Sequence, residues 1–460
     1  MDQTLSATAA RPASRQRGVA LVTLCLAVLV AQIDTAVVNL ALHPIGAAFG
    51  ASVPALQWVL DSYNLTYAAF LLTGGLLADL AGRRRVFMAG AAVFTLASLA
   101  CAFAPTIGVL IAGRIIAGLG AAMIIPASLA LIRVVWTDPS ERRHVLGIWA
   151  ACNGLAMAIG PTLGGLLIHQ LGWRSIFFLV VPLGTIALIL ARLAIPESAD
   201  PDGRHFDLPA QGLGAFALAA VAYSAIEARH APGLALAALA AALVAGAGFV
   251  RVEARRGAAA LVPLDLFRIR AFRGAMVATA GMTFAMYGAL FLLPVAWQGT
   301  DHLGAIAAGL ALMPMALVFV AVSLTSGMLT RRLGAGATIG AGLSVLACGL
   351  TLIAVNTGRS GFLLTELGLG ATGFGMGMAT GPLMGVAVGA VAAARAGTAA
   401  ALINVARMIG ATIGVAVLGA VYAQARDGAT GLRDAMLFGA LVVIACAVLA
   451  WRTLEGRSPR

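Results

Sequence analysis

The chain has no lysine and little charge of any kind. All thirty basic residues are arginine, and charged residues make up only 10% of the 460. Asp and Glu together number 18, and no long polar stretch interrupts the chain. Cysteine is scarce. Cys25, Cys101, Cys152, Cys348 and Cys446 each fall inside an apolar run, and none has ligand spacing to another. That pattern argues against a disulfide framework or a zinc site and for small buried hydrophobes. The six histidines are scattered, without zinc spacing. The chain has no phosphate-binding loop of the P-loop type; GFGMGMATG (373–381) is glycine-rich but lies inside an apolar run with no strand before it. No polar segment is long enough for a soluble domain, which removes most enzyme classes. An integral membrane enzyme fits poorly as well, since the runs hold no nucleophile–base pair or metal cluster.

What fills the chain is apolar. Hydrophobic residues make up 61% of it, and the mean hydropathy is +0.97. These values lie far outside the norm for soluble domains and point to a polytopic membrane protein. A spanning helix needs about 20 residues. Continuous apolar runs occur at 19–42, 55–78, 86–104, 107–132, 145–168, 174–194, 208–226, 232–250, 274–297, 304–329, 336–355, 361–390, 399–422 and 435–451, which makes fourteen. Transmembrane strands alternate apolar and polar residues, and these runs do not, so a β-barrel is excluded. Residues 11–30 imitate a signal peptide, but the run is too long and lacks a small-residue cleavage site; it reads as an uncleaved first span.

Arginine placement sets the expected orientation. With the N-terminus in the cytoplasm, inside segments carry 23 arginines and outside segments 5, while Arg114 and Arg407 fall within spans. This predicts fourteen spans with both termini cytoplasmic. It also accounts for the net charge of +12 through topology and anionic lipid, not nucleic acid. The expected organisation is a cytoplasmic tail (1–18), a six-helix bundle (19–194), a linker with two extra spans (195–273, spans 208–226 and 232–250), a second six-helix bundle (274–451) and a cytoplasmic tail (452–460).

Several segments carry more than topology. In GGLLADLAGRRRV (74–86), Gly75 allows close helix approach, Asp79 ends a span, Gly82 turns the chain, and Arg83 and Arg84 anchor the loop inside. SGMLTRRLGAG (326–336) is a degraded copy, with Thr330 in place of the acid. Two copies at equivalent places imply two related halves. AMAIGPTLGGLL (156–167) sets Gly160, Pro161, Gly164 and Gly165 in mid-span, where proline bends the helix and glycines form a smooth face. LIAGRIIAGLGAAMIIPAS (110–128) buries Arg114, whose guanidinium stays charged and must find a partner.

The first of these loops resembles the signature of the major facilitator superfamily, with Leu80 standing where a basic residue is frequent. The GPxxGG core resembles the antiporter signature of its proton-driven exporters, with Ala156 in place of the expected glycine. QIDTAVVNLALHPI (32–45), QWVLDSYNLTYAAFLL (57–72), PLDLFRIRAF (263–272) and GTAAALINVARMIGATIGVAVLGAV (397–421) resemble its fourteen-span drug:proton antiporter branch. His43 holds the usual proline place of the first of these, and Pro44 follows it. The resemblance covers nearly the whole chain. It implies an all-α major facilitator fold of two six-helix bundles with pseudo-twofold symmetry plus two additional helices. It also implies a proline-shaped gate at 160–165 and an inner lock at 75–84.

Acids inside a hydrocarbon run are costly, at roughly 2.5–3.5 kcal/mol for a mid-bilayer Asp. Asp34, Asp61 and Glu366 are such acids, and Glu227 sits at a span edge. An isolated buried acid can hold a proton and yield it when a cation arrives. Asp34, Asp61, Arg114 and Glu366 are therefore the expected proton- or cation-coupling residues. Asn39, Tyr63, Asn153, Phe284, Tyr287, Phe291 and Asn404 are candidates for a substrate cavity. The expected activity is proton-coupled efflux of lipophilic, cationic drugs or toxic compounds across a bacterial inner membrane. It would be driven by the proton gradient without a cofactor, by a monomer in contact with membrane lipids. Two rivals remain: a carrier, exporting or importing, of one specific metabolite, and a non-transporting membrane sensor or scaffold.

Overall fold

The computed structural model describes residues 14–199, 208–228, 230–257, 260, 262–299, 303–358, 362–392 and 395–454. Most of each expected tail, and linker positions 200–207, lie outside the described residues. The rest is helical. In chain order the helices are α1 (Ser14–Phe49), α2 (Val53–Ala81), α3 (Arg83–Ala102), α4 (Ile107–Val135), α5 (Pro139–Leu171), α6 (Ser175–Ala194), α7 (Leu208–Glu227), α8 (Pro232–Arg256), α9 (Arg270–Gly299), α10 (Ala305–Leu333), α11 (Ala335–Asn356), α12 (Leu363–Gly389), α13 (Ala396–Gln424) and α14 (Gly428–Leu454). A 3₁₀ turn, Leu264–Arg268, precedes α9. Each apolar run has become one helix, the form in which a backbone surrounded by hydrocarbon satisfies its own N–H and C=O groups.

Twelve of these helices are long and apolar enough to cross a membrane. The other two, α5 and α12, are long enough at 33 and 27 residues. Glycine dilutes the hydropathy of α12, and α5 contains positions outside the described set.

The packing repeats. In the first half α1 lies on α5 and α6, α2 on α4, and α3 on α4 and α6. Eight helices later the same set recurs: α9 on α13 and α14, α10 on α12, and α11 on α12 and α14. The halves meet along two seams, α2 on α13 and α5 on α10, and one seam maps onto the other under that shift. The α7–α8 hairpin lies over the α2–α13 seam, with α7 touching both helices and α8 touching mainly α7.

The arginine-rich loops share one end of the molecule. Arg17 at the start of α1 pairs with Glu141 at the start of α5, and Gln16 donates to the carbonyl of Ala194 at the end of α6. Asp265 in the 3₁₀ turn pairs with Arg395 just before α13. At the opposite end aromatic rings join loops, as in Phe49–Trp173 and Trp297–Phe362. One apolar cluster fills the second half and continues into this opposite end of the first half, through Val37–Ile45 and Trp173–Phe177. A separate cluster fills the arginine-side part of the first half. The halves are thus fused at this opposite end by continuous apolar packing, and Met408 of α13 also joins the arginine-side cluster.

Candidate functional site

The first buried charge centre joins three helices. Asp34 on α1 and Arg114 on α4 are 3% and 1% exposed, and Arg114 Nη1 donates to Asp34 Oδ2 at 2.6 Å. Arg114 Nε also donates to the Val59 carbonyl on α2 at 3.2 Å, and the guanidinium lies 4.3 Å above the Tyr63 ring. A cation that cannot lose its proton has here found a carboxylate, a carbonyl and an aromatic face. Asp34 is therefore not the isolated acid expected from its apolar surroundings. Sequence spacing did not place Arg114 opposite it, because the two lie 80 residues apart.

Tyr63 also faces a tight cleft of about 10 Å³ at mid-height. Ala31, Gln32 and Thr35 of α1, Tyr63, Asn64 and Tyr67 of α2, Ile125 of α4, Tyr287 of α9 and Met408 of α13 line it. It lies between the halves, and Tyr63 stands between it and the Asp34–Arg114 pair.

Asp61 on α2 is fully buried, and neither carboxylate oxygen has a hydrogen-bond partner among the described residues. Gln57, one turn earlier on the same face, donates to the Val415 and Ala416 carbonyls of α13 at 2.9 and 3.1 Å. This turns the Asp61 face of α2 toward α13, along the seam. Gln298 of α9 makes a similar bridge to the Leu40 carbonyl of α1 at 3.1 Å. Two buried amides thus tie the halves together at the fused end.

The α2–α3 loop is more elaborate than its sequence suggested. Arg83 donates to Asp79 Oδ1 through Nε and Nη2 at 3.0 and 2.8 Å. Gly82 adopts φ +107°, a conformation open to glycine, and a Cβ there would lie 2.9 Å from Glu197. Glu197, just beyond α6, accepts from the backbone N–H groups of Arg84 and Arg85 at 3.0 and 3.2 Å, capping the positive end of α3. Glu197 was not among the expected site residues. The available signal was an acid three residues past a helix end, on the arginine-rich side.

The α5 glycines serve both seams of that helix. A Cβ on Gly160 would meet Ala36 at 2.7 Å, and one on Gly164 would meet Val37 at 2.6 Å, both on α1. A Cβ on Gly165 would meet the Ala305 carbonyl of α10 at 2.7 Å. The Pro161 carbonyl in turn packs on Gly309 of α10. Gly75 makes ordinary contact with Pro126 of α4, 3.4 Å from the position of a Cβ.

Of the expected cavity residues, Tyr63 and Tyr287 line the cleft. Phe284 and Phe291 do not; Phe284 packs on Gly414 and Phe438, and Phe291 against Gly419. Their apolar helix face meets α13 and α14 because α9 buries most of its circumference. Asn39 and Asn404 donate to carbonyls of their own helices, Thr35 and Ala400, at 2.9 and 3.0 Å. The Asn153 side chain lies outside the described residues. Glu366 sits in the first turn of α12, away from the cleft, where a helix N-terminus favours an acid. Gln32, Thr35, Asn64, Tyr67 and Met408 line the cleft and were not proposed for it. Their signal was a polar i, i+3/i+4 stripe in α1 and α2 (Gln32, Thr35; Tyr63, Asn64, Tyr67). Among the described residues no cluster of three or more His, Cys, Asp or Glu side chains could hold a metal.

Two halves of the same helical plan, joined around a central cleft, define a secondary transporter architecture. The family model of the Major Facilitator Superfamily matches residues 24–415, and the chain belongs to that superfamily. The chain is 38% identical over 394 residues to the multidrug resistance protein Stp of Mycobacterium tuberculosis, spanning 85% of this chain and 73% of Stp. It is 31% identical over 455 residues to the methylenomycin A resistance protein of Streptomyces coelicolor, covering 97% and 95% of the two. Among solved structures it shares its fold with a POT family transporter in complex with a thioalcohol-conjugated peptide (TM-score 0.73, 12% identity, 93% and 94% covered). The fold is also that of a bacterial homologue of the human lysosomal transporter Spinster (TM-score 0.67, 16% identity, 97% and 100% covered). The protein is a multi-pass protein of the bacterial inner membrane.

Proposed function

We propose that this protein exports lipophilic drugs or toxic compounds across the inner membrane in exchange for protons. Drug efflux follows from its family and from relatives named for multidrug and antibiotic resistance. Proton exchange and the roles of particular residues are our reading. The observation that carries them is the placement of two buried acids on the helices that form the cleft, Asp34 held by Arg114 behind Tyr63 and Asp61 without a partner on the α2 face turned toward α13.

In this reading all fourteen helices span, both termini are cytoplasmic, and the arginine-rich end is the inner face. Residues 19–194 and 274–451 are the two moving bundles, and α7–α8 is an insertion over one seam. The fused end is then the outer gate, with α5 and α10 closed through Gly165 and Gly309. Asp61 receives the proton, since a lone carboxylate in hydrocarbon is costly unless neutralised. Protonation of Asp34 would release Arg114 from its partner and loosen α1 from α4. Asp79, Arg83, Arg84 and Glu197 hold the inner ends of α2, α3 and α6. No cofactor enters the cycle; the proton gradient drives it at about 1.4 kcal/mol per pH unit.

Everted vesicles carrying a pH-sensitive dye test this. Adding a transported lipophilic drug to acidified vesicles is expected to release protons with the wild-type protein and not with Asp61→Asn. Vesicles in which no drug from a broad panel moves protons in the wild type would overturn the proposal. Transport of a single compound, uncompeted by the rest of the panel, would favour a metabolite carrier instead.

A further inference from the structure

The five cysteines are far apart in sequence, but the fold brings two of them together. Helices α1 and α5 pack side by side and run in the same direction, and three contacts fix their register. Arg17 pairs with Glu141 at 3.2 Å, a Cβ on Gly160 would meet Ala36, and one on Gly164 would meet Val37. Each α1 position therefore faces the α5 position 124 to 127 residues later. That register sets Cys25 of α1 opposite Cys152 of α5, and the two thiols are hydrogen-bonded to each other. Both are free; Cys25 is buried, at 8% exposure, and Cys152 is half-buried. The other cysteines sit on other helices. Cys101 donates to the Leu110 carbonyl at 3.8 Å, Cys446 packs on Gly281, and Cys348 is exposed. The Cys25–Cys152 pair lies about 12 Å along α1 from Arg17 and about 10 Å short of Gln32 in the cleft wall.

Thiol sulfurs favour soft centres. A zinc-type shell needs four ligands, and among the described residues no third His, Cys, Asp or Glu joins this pair. The centre that fits must therefore take two sulfurs and ask nothing more of the protein. It must also be neutral, because Leu24, Val28 and Ala156 beside the pair are fully buried and apolar, and net charge there is costly. A monovalent soft cation on two thiolates would leave one negative charge. A mercuric ion would be neutral, but its linear geometry holds two sulfurs farther apart than hydrogen-bonded thiols stand. A trivalent arsenic centre is both neutral and bent. We propose that Cys25 and Cys152 form a vicinal-dithiol site for trivalent organoarsenicals, R–As(OH)2. Two As–O bonds break and two As–S bonds form. Each thiol proton leaves with a hydroxide as water, and arsenic stays trivalent, so neither oxidant nor reductant is needed. The half-buried Cys152 bonds first, and Cys25 closes the ring. The ring staples α1 to α5 within one bundle and crosses neither seam between the halves. The site does not depend on the proton-exchange reading.

Phenylarsine oxide added to the purified, reduced full-length protein tests this, read by intact mass after a glutathione wash. The wild type is expected to keep one phenylarsenic group per chain and to release it to a dithiol such as dithiothreitol. C25S and C152S each leave a single sulfur and are expected to hold the group about a hundredfold more weakly, so that the wash removes it. The triple variant C101A/C348A/C446A keeps the pair and is expected to keep the group. Thermal midpoints report whether each variant is folded. If C25S is not, C152S, changed at the half-buried position, carries the comparison. A wild type without a wash-resistant group would overturn the site. So would a folded C152S that retains the group as the wild type does, or a folded triple variant that loses it. Any of these results would leave drug efflux standing.

Discussion

At the residue scale the Asp34–Arg114 pair makes the sharpest statement. Removing one member of a buried pair strands the other charge, at a cost of about 3–5 kcal/mol. Asp34→Asn is therefore expected to lower the thermal midpoint of the purified protein and to abolish proton-driven drug transport. The double variant D34N/R114Q leaves no stranded charge. It is expected to regain much of the stability and none of the coupled transport. Recovery of both would show that the pair serves packing alone. Tyr63→Ala removes the ring beneath the guanidinium, worth about 0.5–2 kcal/mol, whereas Tyr63→Phe keeps it. The acids were legible in the sequence because charge inside an apolar run is conspicuous. Their partners were not, since a tertiary contact such as Asp34 to Arg114 leaves no trace in local spacing. The same holds for the cleft: Phe284 and Phe291 looked suited to a drug, but burial around most of α9 spent them on packing.

At the scale of elements, glycine faces decide how closely helices approach. Gly165 on α5 has the Ala305 carbonyl where its Cβ would stand, while Gly147 on the same helix has open space. Gly165→Val is expected to hold α5 off α10, destabilise by about 1–3 kcal/mol, and raise passive proton leak through the outer gate. Gly147→Ala is expected to leave both unchanged. Leak assayed in vesicles without drug separates the two; no difference would deny the α5–α10 contact a gating role. On the other seam, Gln57→Leu removes both hydrogen bonds to α13. Labelling of an engineered outer cysteine on α13 is expected to rise severalfold as that seam opens. Every helix was visible in the sequence, since hydropathy and length report the lipid environment directly. The hinge-like details were not. The capping of α3 by Glu197 depends on how the chain leaves α6, which no periodicity encodes.

At the scale of the whole molecule, the repeated packing of α1–α6 and α9–α14 supports two bodies that rock about a central cleft. Two copies of the glycine-arginine loop foreshadowed that repeat, whereas the place of α7–α8 over the α2–α13 seam had no sequence signal. Charge movement follows from the stoichiometry of the exchange. One proton in for one monovalent cation out is electroneutral. One proton in for one neutral drug out moves one charge, worth about 2.3 kcal/mol per 100 mV. An inside-negative potential set with valinomycin is thus expected to speed export of neutral drugs and to leave monovalent-cation export unchanged.

The central claim is that drug and proton exchange through one cleft with Asp61 as the carrier. Simultaneous recording of drug flux and internal pH in proteoliposomes tests it most directly, with wild type and Asp61→Asn side by side under an imposed pH gradient. The account predicts drug movement coupled in a fixed ratio to opposing proton movement in the wild type, and neither in the variant. Drug movement that ignores the gradient, or that persists with its proton counterflow in Asp61→Asn, would contradict it.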